Sequence, residues 1–272
     1  MGSFGQKPVC FLLDDDIAPI DARDNPAAEP GLIYEYRPLK EARHIRILQF
    51  SRRQGSDYLV CDLIPVSLDD APEFFAVSYC WGMAQEQSGL VISGNNHISI
   101  SNVVKRMLQR LIGSRDSMAL WIDAICINQA DNVEKSTQVS MMGDIYSTAT
   151  GVLAWLGDCD DENIIVQWMS RVYAEPSTEH AKIGLAILGS LNKIKLQRAL
   201  SAEEQTVLRM LNMPWFSRTW VIQEACLARS LMFQYGRCSF SWPFLLGVLS
   251  SVSGLTNMSS SFIYPDGRLC EA

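Results

Sequence analysis

The stretch Leu120-Trp-Ile-Asp-Ala-Ile-Cys-Ile-Asn-Gln129 decides the fold of this protein. Residues 120–127 are apolar except for Asp123, and such a run predicts a strand that is buried on both faces, as in a parallel sheet covered by helices. In open α/β sheets, ligands bind beyond the carboxyl ends of the strands. Asp123, Asn128 and Gln129 are therefore candidate site residues.

The residues that follow predict a helix and then a second strand. Asp131 and Glu134 have the spacing of a capping box, and apolar residues then recur at helical intervals up to Ala149. Residues 152–156, Val-Leu-Ala-Trp-Leu, have strand character again. Together these elements form a βαβ unit, which predicts an α/β domain with a mostly parallel sheet, a mixed edge and flanking helices.

Composition predicts a folded globular protein. Of the 272 residues 48% are hydrophobic and 9% aromatic, which is enough for a large core. The formal net charge of −7 argues against nucleic-acid binding and against a polybasic membrane surface. Eight scattered cysteines without a Cys-x-x-Cys pair are typical of a reduced, intracellular protein. Because the amino terminus has neither a signal peptide nor a membrane-spanning run, we expect a cytoplasmic protein.

Further elements are predicted before the βαβ unit. Residues 1–30 are expected to be an irregular lead-in. Residues 90–93 and 97–100 have the composition of a hairpin around Gly94-Asn-Asn, and Ser101 or Asn102 can cap a helix. In another predicted strand, Ile45 and Ile47 alternate with Arg46 and Leu48. The predicted strands cover residues 34–39, 44–50, 57–64 (ended by Pro65) and 74–81, and the capped helix covers residues 103–112.

The carboxyl-terminal part is predicted to be mostly helical. Asp160 or Asp161 can cap one helix, and Ser201 with Glu204 forms a capping box for another that ends before Pro214. Further helices are predicted over residues 181–191 and 215–228 and from Trp242, with a strand over residues 230–235. We expect one domain over residues 31–272, in which residues 158–214 are a helical insertion.

Several common catalytic signatures are absent from the sequence. It contains no G-x-G-x-x-G after a strand, no Walker A loop, no G-x-S-x-G elbow and no H-E-x-x-H. The three histidines are far apart and have no Cys or Asp partners at ligand spacing. A zinc site and a histidine-based triad are therefore not expected, and no metal or cofactor is assigned.

Polar residues embedded in aromatic and apolar segments remain as candidates for a site. Aromatic faces beside amides and a carboxylate would suit a ligand with a flat ring and sugar hydroxyls. Each residue also has a structural alternative: the aromatic rings can be core residues, Asp123 a helix cap, the amides turn residues, and Arg218 with Glu224 an ion pair. The candidates are Tyr79, Trp81, Asp123, Asn128, Gln129, Arg218, Trp220 and Glu224.

Three stretches of this sequence resemble the HET (heterokaryon incompatibility) domain of filamentous fungi. They are Phe75-Ala-Val-Ser-Tyr-Cys-Trp-Gly82, residues 120–129 with their continuation to residue 157, and Arg218-Thr-Trp-Val-Ile-Gln-Glu224. The resemblance covers residues 34–242. Proteins of this family trigger cell death when genetically different fungal cells fuse, so the resemblance implies an effector of fungal programmed cell death.

The HET family in turn resembles Toll/interleukin-1 receptor (TIR) domains, some of which cleave NAD at the bond between nicotinamide and ribose. The resemblance implies a TIR-like, flavodoxin-like core with extra strands and inserted helices. Val77-Ser-Tyr79 is similar to the end of the first TIR strand, and Trp220-Val-Ile-Gln-Glu224 to the helix that carries the catalytic glutamate. Glu224 is thus the implied catalytic residue. Two departures are the long helical stretch over residues 158–214 and Val221, which stands where the TIR motif has Cys.

The implied reaction needs a single carboxylate, because the nicotinamide ring of NAD is cationic and departs as a neutral molecule. Glu224 would stabilise the oxocarbenium-like transition state or bind the ribose hydroxyls. Trp81 or Tyr79 would stack on nicotinamide, and Arg218 would bind a phosphate. NAD or a related nucleotide would be the substrate, self-association would support activity, and an upstream receptor protein is a further expected partner. The alternative is a non-catalytic interaction module that assembles a cell-death complex, because fold analogy alone does not establish a reaction.

Overall fold

The computed structural model describes residues 32–39, 41–52, 59–81, 87–92, 96–112, 117–174 and 199–246. The strands are β1 His44–Arg52, β2 Leu59–Ser67, β3 Phe75–Tyr79, β4 Gln87–Ile92, β5 Asn96–Ser101, β6 Ser117–Trp121, β7 Gly151–Gly157, β8 Leu231–Tyr235 and β9 Cys238–Ser241. The α-helices are α1 Asn102–Ile112, α2 Asp123–Cys126, α3 Asn132–Ser140, α4 Met142–Thr148, α5 Glu162–Ala174, α6 Ala202–Leu211 and α7 Trp220–Cys226. Short 3-10 helices cover Leu68–Asp70 and Pro214–Ser217.

The chain divides into two compact units. The first, called the sheet unit below, holds the described residues up to Trp155 together with Gln223–Leu231. The second, called the carboxyl-terminal unit, holds the described residues of Leu156–Ile222 and residues 232–246. The expectation of one domain over residues 31–272 stays a prediction.

The sheet unit is built on a mixed sheet with the strand order β5-β4-β2-β1-β6-β3-β7. β3 pairs in parallel with both β6 and β7, so the predicted βαβ unit places its two strands on either side of β3. β1 runs antiparallel to β2 and β6, and β4 and β5 form the predicted hairpin, whose turn lies outside the described residues. The predicted α/β class with a parallel core and a mixed edge is confirmed.

Local sequence signals place several elements as predicted. Ser101 Oγ accepts the Val104 N–H at 3.3 Å and caps α1, whose buried residues Val104, Leu108 and Leu111 share one face. Asp131 caps α3 through the Val133 and Glu134 N–H groups. The Glu134 carboxylate accepts hydrogen bonds from Arg46 and from the Asn128 N–H. The reciprocal half of that capping box, a bond from the Asp131 N–H to Glu134, is therefore not formed.

The strand predicted over residues 120–127 is wrong beyond Trp121. Asp123 begins the short helix α2, in which the Ile125 and Cys126 N–H groups donate to the Ile122 carbonyl at 3.0 and 2.7 Å. The side chains of Ile125 and Cys126 are still buried. A short apolar run predicts burial but cannot by itself separate a strand from a turn of helix.

The predicted strand over residues 34–39 is also wrong. Apart from a single bridge between Ile33 and His97, this segment has no regular structure. The Tyr34 N–H donates to the His97 carbonyl at 2.9 Å, and the Arg37 carbonyl accepts Arg46 Nη2 at 2.6 Å. Strand β2, by contrast, runs through Pro65 to Ser67. Among the described pairs β4 meets β2 at Cys61 and not at Pro65, and proline is tolerated where a strand has no paired neighbour on one side.

Two predicted helices are each divided in the structure. The helix after Asp131 breaks at Met141, where a tight turn with φ −94° and ψ 0° separates α3 from α4. The helix predicted over residues 215–228 becomes a 3-10 helix and α7, with Arg218 extended between them. Ser217 Oγ donates to the Pro214 carbonyl at 2.9 Å, and such local side-chain bonds compete with helix continuation.

The carboxyl-terminal unit packs α5 and α6 with the antiparallel hairpin β8–β9. Its core is aromatic: Phe233 stacks on Phe240 with ring centroids 5.2 Å apart and meets Trp215 edge-on at the same distance. The Ser201 capping box of α6 is formed as predicted. The lead-in over residues 1–30, the helix over residues 181–191 and the chain after residue 246 lie outside the described residues. No helix in the described part of the chain is long and apolar enough to cross a bilayer.

Candidate functional site

The implied catalytic residue, Glu224, lies against strand β3. Ser78 is the fourth of the five residues of this strand and donates a short hydrogen bond from its hydroxyl to Glu224 Oε2. Both residues are buried, with exposed fractions of 1% for Ser78 and 2% for Glu224. Ser78 is not among the candidates predicted from the sequence, although a hydroxyl inside an otherwise apolar strand could have indicated it.

Gln223 and Leu227 lie close to α4 at Gly143, which has no side chain. A Cβ at this position would lie 3.0 Å from Gln223 Nε2 and 3.4 Å from Leu227 Cδ1. Such contacts are tight enough to require Gln223 or Leu227 to move. The glycine therefore leaves room for the side chains of Gln223 and Leu227 beside α4.

A second group of predicted site residues meets beyond the carboxyl ends of β3 and β6. Trp81 Nε1 donates to Asp123 Oδ2 at 3.0 Å, and Gln129 Nε2 donates to the Asp123 carbonyl at 2.8 Å. The other carboxylate oxygen of Asp123 accepts the Ala124 N–H at 2.7 Å. Because Trp81 is 54% exposed, part of its ring surface is open to a ligand. This is the edge of the sheet where the topology predicts binding.

Tyr79 and Asn128 make contacts that stabilise the fold. Tyr79 is 4% exposed and pairs with Trp155 of β7 in the sheet register. Asn128 Oδ1 accepts the Ala130 N–H at 3.2 Å, which is a common way for an amide to stabilise a turn. In the described conformation these two side chains therefore support the strand and the loop, and their assignment to ligand binding stays a prediction.

Arg218 and Trp220 belong to the carboxyl-terminal unit. Arg218 follows the 3-10 helix, and its N–H donates to the Trp215 carbonyl at 3.3 Å. Trp220 begins α7 and is 56% exposed. Their predicted roles in phosphate and ring binding stay predictions.

A buried ion pair that the sequence analysis missed holds the loop between α2 and α3. Arg46 Nη1 and Nη2 donate to the two Glu134 carboxylate oxygens at 2.6 and 2.9 Å, and Glu134 Oε1 also accepts the Asn128 N–H at 2.7 Å. Arg46 Nη1 further donates to the Cys126 carbonyl at 3.1 Å. Arg46 itself is 2% exposed, so β1 is buried on both faces at this point and not only at alternate residues.

Burial and hydrogen bonding shift the pKa values in this cluster. Burial alone raises the pKa of the Glu134 carboxyl, but hydrogen bonds from Arg46 and Asn128 and the Arg46 charge outweigh it and leave the pKa below its usual value. Burial also raises the pKa of Tyr36, whose hydroxyl donates to the Ile125 carbonyl at 2.8 Å and whose ring lies 5.1 Å from the Arg46 guanidinium. Glu134 is thus held ionised as a structural carboxylate.

Of the candidate groups, the Trp81 indole is open to a ligand at the carboxyl end of β3, whereas the Ser78 hydroxyl and the Glu224 carboxylate are buried. Two carboxylates contribute: Glu224 with Ser78, and Asp123 with Trp81. The described residues contain no group of three or more His, Cys, Asp or Glu side chains placed to hold a metal ion. Carboxylate and hydroxyl groups of this kind can bind sugar hydroxyls and stabilise a developing positive charge.

Comparisons with known proteins agree with the sequence motifs. A family model described as heterokaryon incompatibility protein (HET) matches residues 74–224, a range that includes Ser78, Asp123 and Glu224. The chain is also similar to Heterokaryon incompatibility protein 6, OR allele, of Neurospora crassa, with 30% identity over 225 residues that cover 71% of this chain and 33% of that protein. The chain thus spans about a third of the length of this curated relative. No solved structure matches it.

Proposed function

The chain belongs to the heterokaryon incompatibility (HET) family, and we propose that it acts in fungal heterokaryon incompatibility as a cell-death effector that hydrolyses NAD. The incompatibility role rests on the family and on the name of the Neurospora relative. The hydrolytic activity rests on the site, with Glu224 as the catalytic carboxylate. We further propose that the protein works in the cytoplasm and responds to an upstream receptor protein.

One observation carries the enzymatic proposal. The Glu224 carboxylate is fixed by the Ser78 hydroxyl on a parallel strand whose carboxyl end leads to Trp81, three residues further on. Three residues of extended chain span about 10 Å, so a nucleotide with its ribose near Glu224 could place a ring near the Trp81 indole. Asp123, which binds Trp81, lies beyond the neighbouring strand β6.

The proposed reaction breaks the bond between nicotinamide N1 and ribose C1′. The bonding electron pair leaves with nicotinamide, which becomes neutral, and positive charge develops on the ribose. The Glu224 carboxylate stabilises that charge, and water then attacks C1′ and releases one proton, giving ADP-ribose. No general acid is required for the leaving group. Trp81 would hold the nicotinamide ring, and Ser78 would keep Glu224 in position.

Burial of Glu224 adds a condition to the proposal. With 2% of its surface exposed, this residue contacts a substrate only after the surrounding chain rearranges. We propose that self-association of the protein provides this rearrangement. Specific activity should then rise with protein concentration, whereas a constitutively open site would give an activity per molecule that is independent of concentration.

The test is nicotinamide release from NAD by the purified protein over a wide range of concentrations. Glu224→Gln removes the charge but keeps the size of the side chain, and should lower the rate by about a hundredfold or more. Glu204→Gln is the matched control, because Glu204 is also buried, at 4% exposure, but caps α6 in the carboxyl-terminal unit. A glutamine can keep this cap, so the control should retain activity.

Circular dichroism of each variant separates loss of the reaction from loss of the fold. Equal release by wild type and a folded Glu224→Gln variant would remove Glu224 from the mechanism. If no folded variant or wild type releases nicotinamide, even when fused to an oligomerising scaffold, the enzymatic proposal fails. The incompatibility role would then rest on a non-catalytic interaction module.

The module has one observation in its favour, which is the exposure of Trp220 and Ile222 on α7, at 56% and 62%. Exposed tryptophans are frequent anchors of protein interfaces. Under this alternative, Trp220→Ala would abolish partner binding while no variant affects NAD. Under the enzymatic proposal, Glu224→Gln abolishes a measurable reaction.

A further inference from the structure

A hydrogen bond orients the Trp81 indole although more than half of this residue is exposed. Its Nε1 donates to Asp123 Oδ2 at 3.0 Å, while 54% of its surface remains open to solvent. Exposed aliphatic side chains such as Val133 have no polar group through which they could be fixed in this way. A large ring that is both oriented and uncovered is suited to stack on a flat ligand.

The acceptor of this hydrogen bond is itself anchored. Asp123 Oδ1 accepts the Ala124 N–H at 2.7 Å, and the Asp123 carbonyl accepts Gln129 Nε2 at 2.8 Å. The loop that follows is tied to the buried pair of Arg46 and Glu134. The carboxylate and the indole are therefore already in place before a ligand arrives, which lowers the entropic cost of binding.

The charge of Asp123 decides which kind of flat ring the indole prefers. A hydrogen bond to an anion polarises its donor, so the indole face gains negative charge. Among aromatic side chains, indole already attracts cations most strongly through its face. A cation stacked on the indole is also attracted directly by the carboxylate. A positively charged aromatic ring should therefore bind more tightly than a neutral ring of the same shape.

We propose that Trp81 and Asp123 form a site for a cationic aromatic ring, and that this site selects the pyridinium ring of NAD over neutral rings. Trp81 supplies the surface on which the ring stacks. Asp123 sets the specificity through Trp81, by orienting the indole and by favouring positive charge. The identification of the ligand as NAD rests on the proposed function, whereas the preference for a cationic ring does not.

This preference separates the binding of NAD from the chemical step. In NAD the nicotinamide ring carries the positive charge, and this charge passes to the ribose as the bond breaks. The site therefore binds the ring more tightly in the substrate than in the transition state or in the released product. An interaction of this kind lowers KM and does not raise kcat, and it allows the neutral nicotinamide to leave.

The first test is a titration of ¹⁵N-labelled protein, followed at the Trp81 Nε1–H signal, which is identified by its absence from Trp81→Phe. The probes are 1-methylnicotinamide, which is a pyridinium cation, 3-methylbenzamide, which has the same shape without the charge, and tetramethylammonium, which has the charge without the ring. The pyridinium should give saturable shifts and bind about three- to tenfold more tightly than either of the other probes.

Three results of this titration would overturn the proposal. The first is the absence of saturable shifts with 1-methylnicotinamide. The second is equal binding of 1-methylnicotinamide and 3-methylbenzamide, which would show that the site does not distinguish the charge of the ring. The third is equally tight binding of tetramethylammonium, which would show that the site does not require a ring.

Variants assign the charge preference to Asp123. Asp123→Asn keeps an oxygen acceptor for the indole but removes the charge, and should reduce the preference for the pyridinium about threefold. Asp131→Asn is the matched control, because it removes the same charge from the same loop and asparagine can keep the cap of α3. Equal preferences in the two variants would refute the role of Asp123. If Asp123→Asn fails to fold, the three probes on the wild-type protein still decide.

The kinetics of nicotinamide release separate this inference from the proposed function. Asp123→Asn should raise KM for NAD about threefold or more without lowering kcat, whereas Glu224→Gln lowers kcat. A lowered kcat in Asp123→Asn would overturn the role given to Asp123. Release of nicotinamide without a preference for the pyridinium refutes this inference and leaves hydrolysis standing. Selective binding of the pyridinium without any release refutes hydrolysis and leaves the ring site standing.

Discussion

Replacement of Arg46 by methionine removes the guanidinium from the most buried ion pair that the structure describes. Arg46 is 2% exposed and the Glu134 side chain 8% exposed. The substitution deletes both bonds to Glu134 and those to the Cys126 and Arg37 carbonyls. Of the described hydrogen bonds to the Glu134 carboxylate, only the one from the Asn128 N–H then remains.

The magnitude follows from the stranded charge. Removal of one partner from a buried ion pair costs about 3–5 kcal/mol, because the remaining ion is desolvated and unpaired. Replacing Glu134 by leucine in the same chain removes that ion, and the remaining cost is that of the unsatisfied backbone groups, about 1–3 kcal/mol. The double variant Arg46→Met/Glu134→Leu should therefore be more stable than Arg46→Met alone. If the two losses of stability were independent, the second mutation could only lower the free energy of unfolding further. An increase would therefore show that the two side chains are coupled.

Urea unfolding followed by circular dichroism measures the free energies of unfolding. Amide hydrogen exchange in β1 and α3 shows whether the loss is centred on the pair. Arg43→Met is the matched control: it removes the same charge from a neighbouring residue whose ion pairs with Asp69 and Asp144 are exposed to solvent. Exposed pairs contribute little, so this variant should stay close to wild type.

The reasoning is refuted if Arg46→Met costs less than about 1 kcal/mol, since the stranded carboxylate would then be solvated or neutralised at little cost. It is also refuted if the double variant is less stable than Arg46→Met. In that case the two side chains would contribute separately, through their backbone hydrogen bonds, and the charge pair would have no special role.

Three further predictions concern pH, thiol reactivity and close packing. The folded-state pKa of Glu134 lies below its ordinary value of 4.5. The stability that its ionised form contributes is therefore complete above that pH and is lost as pH falls through the folded pKa. In acid unfolding measurements, the difference in free energy of unfolding between wild type and the double variant should narrow. Burial raises the pKa of the Cys126 thiol to about 12. Mass spectrometry after iodoacetamide treatment at pH 8 should therefore show Cys126 modified far more slowly than the partly exposed Cys80. Equal rates of modification would contradict the burial of Cys126. In Gly151→Ala the new Cβ would lie 2.3 Å from Ser230 Oγ. Thermal unfolding should therefore show a loss of about 1–3 kcal/mol in the free energy of unfolding, and adding Ser230→Ala should recover part of it. An unchanged melting temperature would show that β7 has space for a methyl group at this position.

Signals that act within a few residues could be recognised from the sequence. The Ser101 cap of α1, the Ser201 capping box of α6 and the hairpin of β4 and β5 depend on contacts between near neighbours. Their residue types and spacings therefore predict them directly. The βαβ unit was predictable for a similar reason, because its hydrophobic pattern changes period between strand and helix. The family motifs placed Glu224 as a candidate without showing what it contacts.

Tertiary structure alone decided the contacts between distant residues. Ser78 and Glu224 are 146 positions apart, and Arg46 and Glu134 are 88 apart, so no local pattern links them. Arg46 has the appearance of a solvent-facing residue in an alternating strand, yet its burial is made favourable by Glu134, the backbone carbonyls and the ring of Tyr36. The backbone form of α2 was also decided by tertiary structure, because its apolar residues would be buried by packing either as a strand or as a helix. Hydrophobic pattern determines which residues are buried, and long-range packing determines the backbone and the polar partners that accompany them.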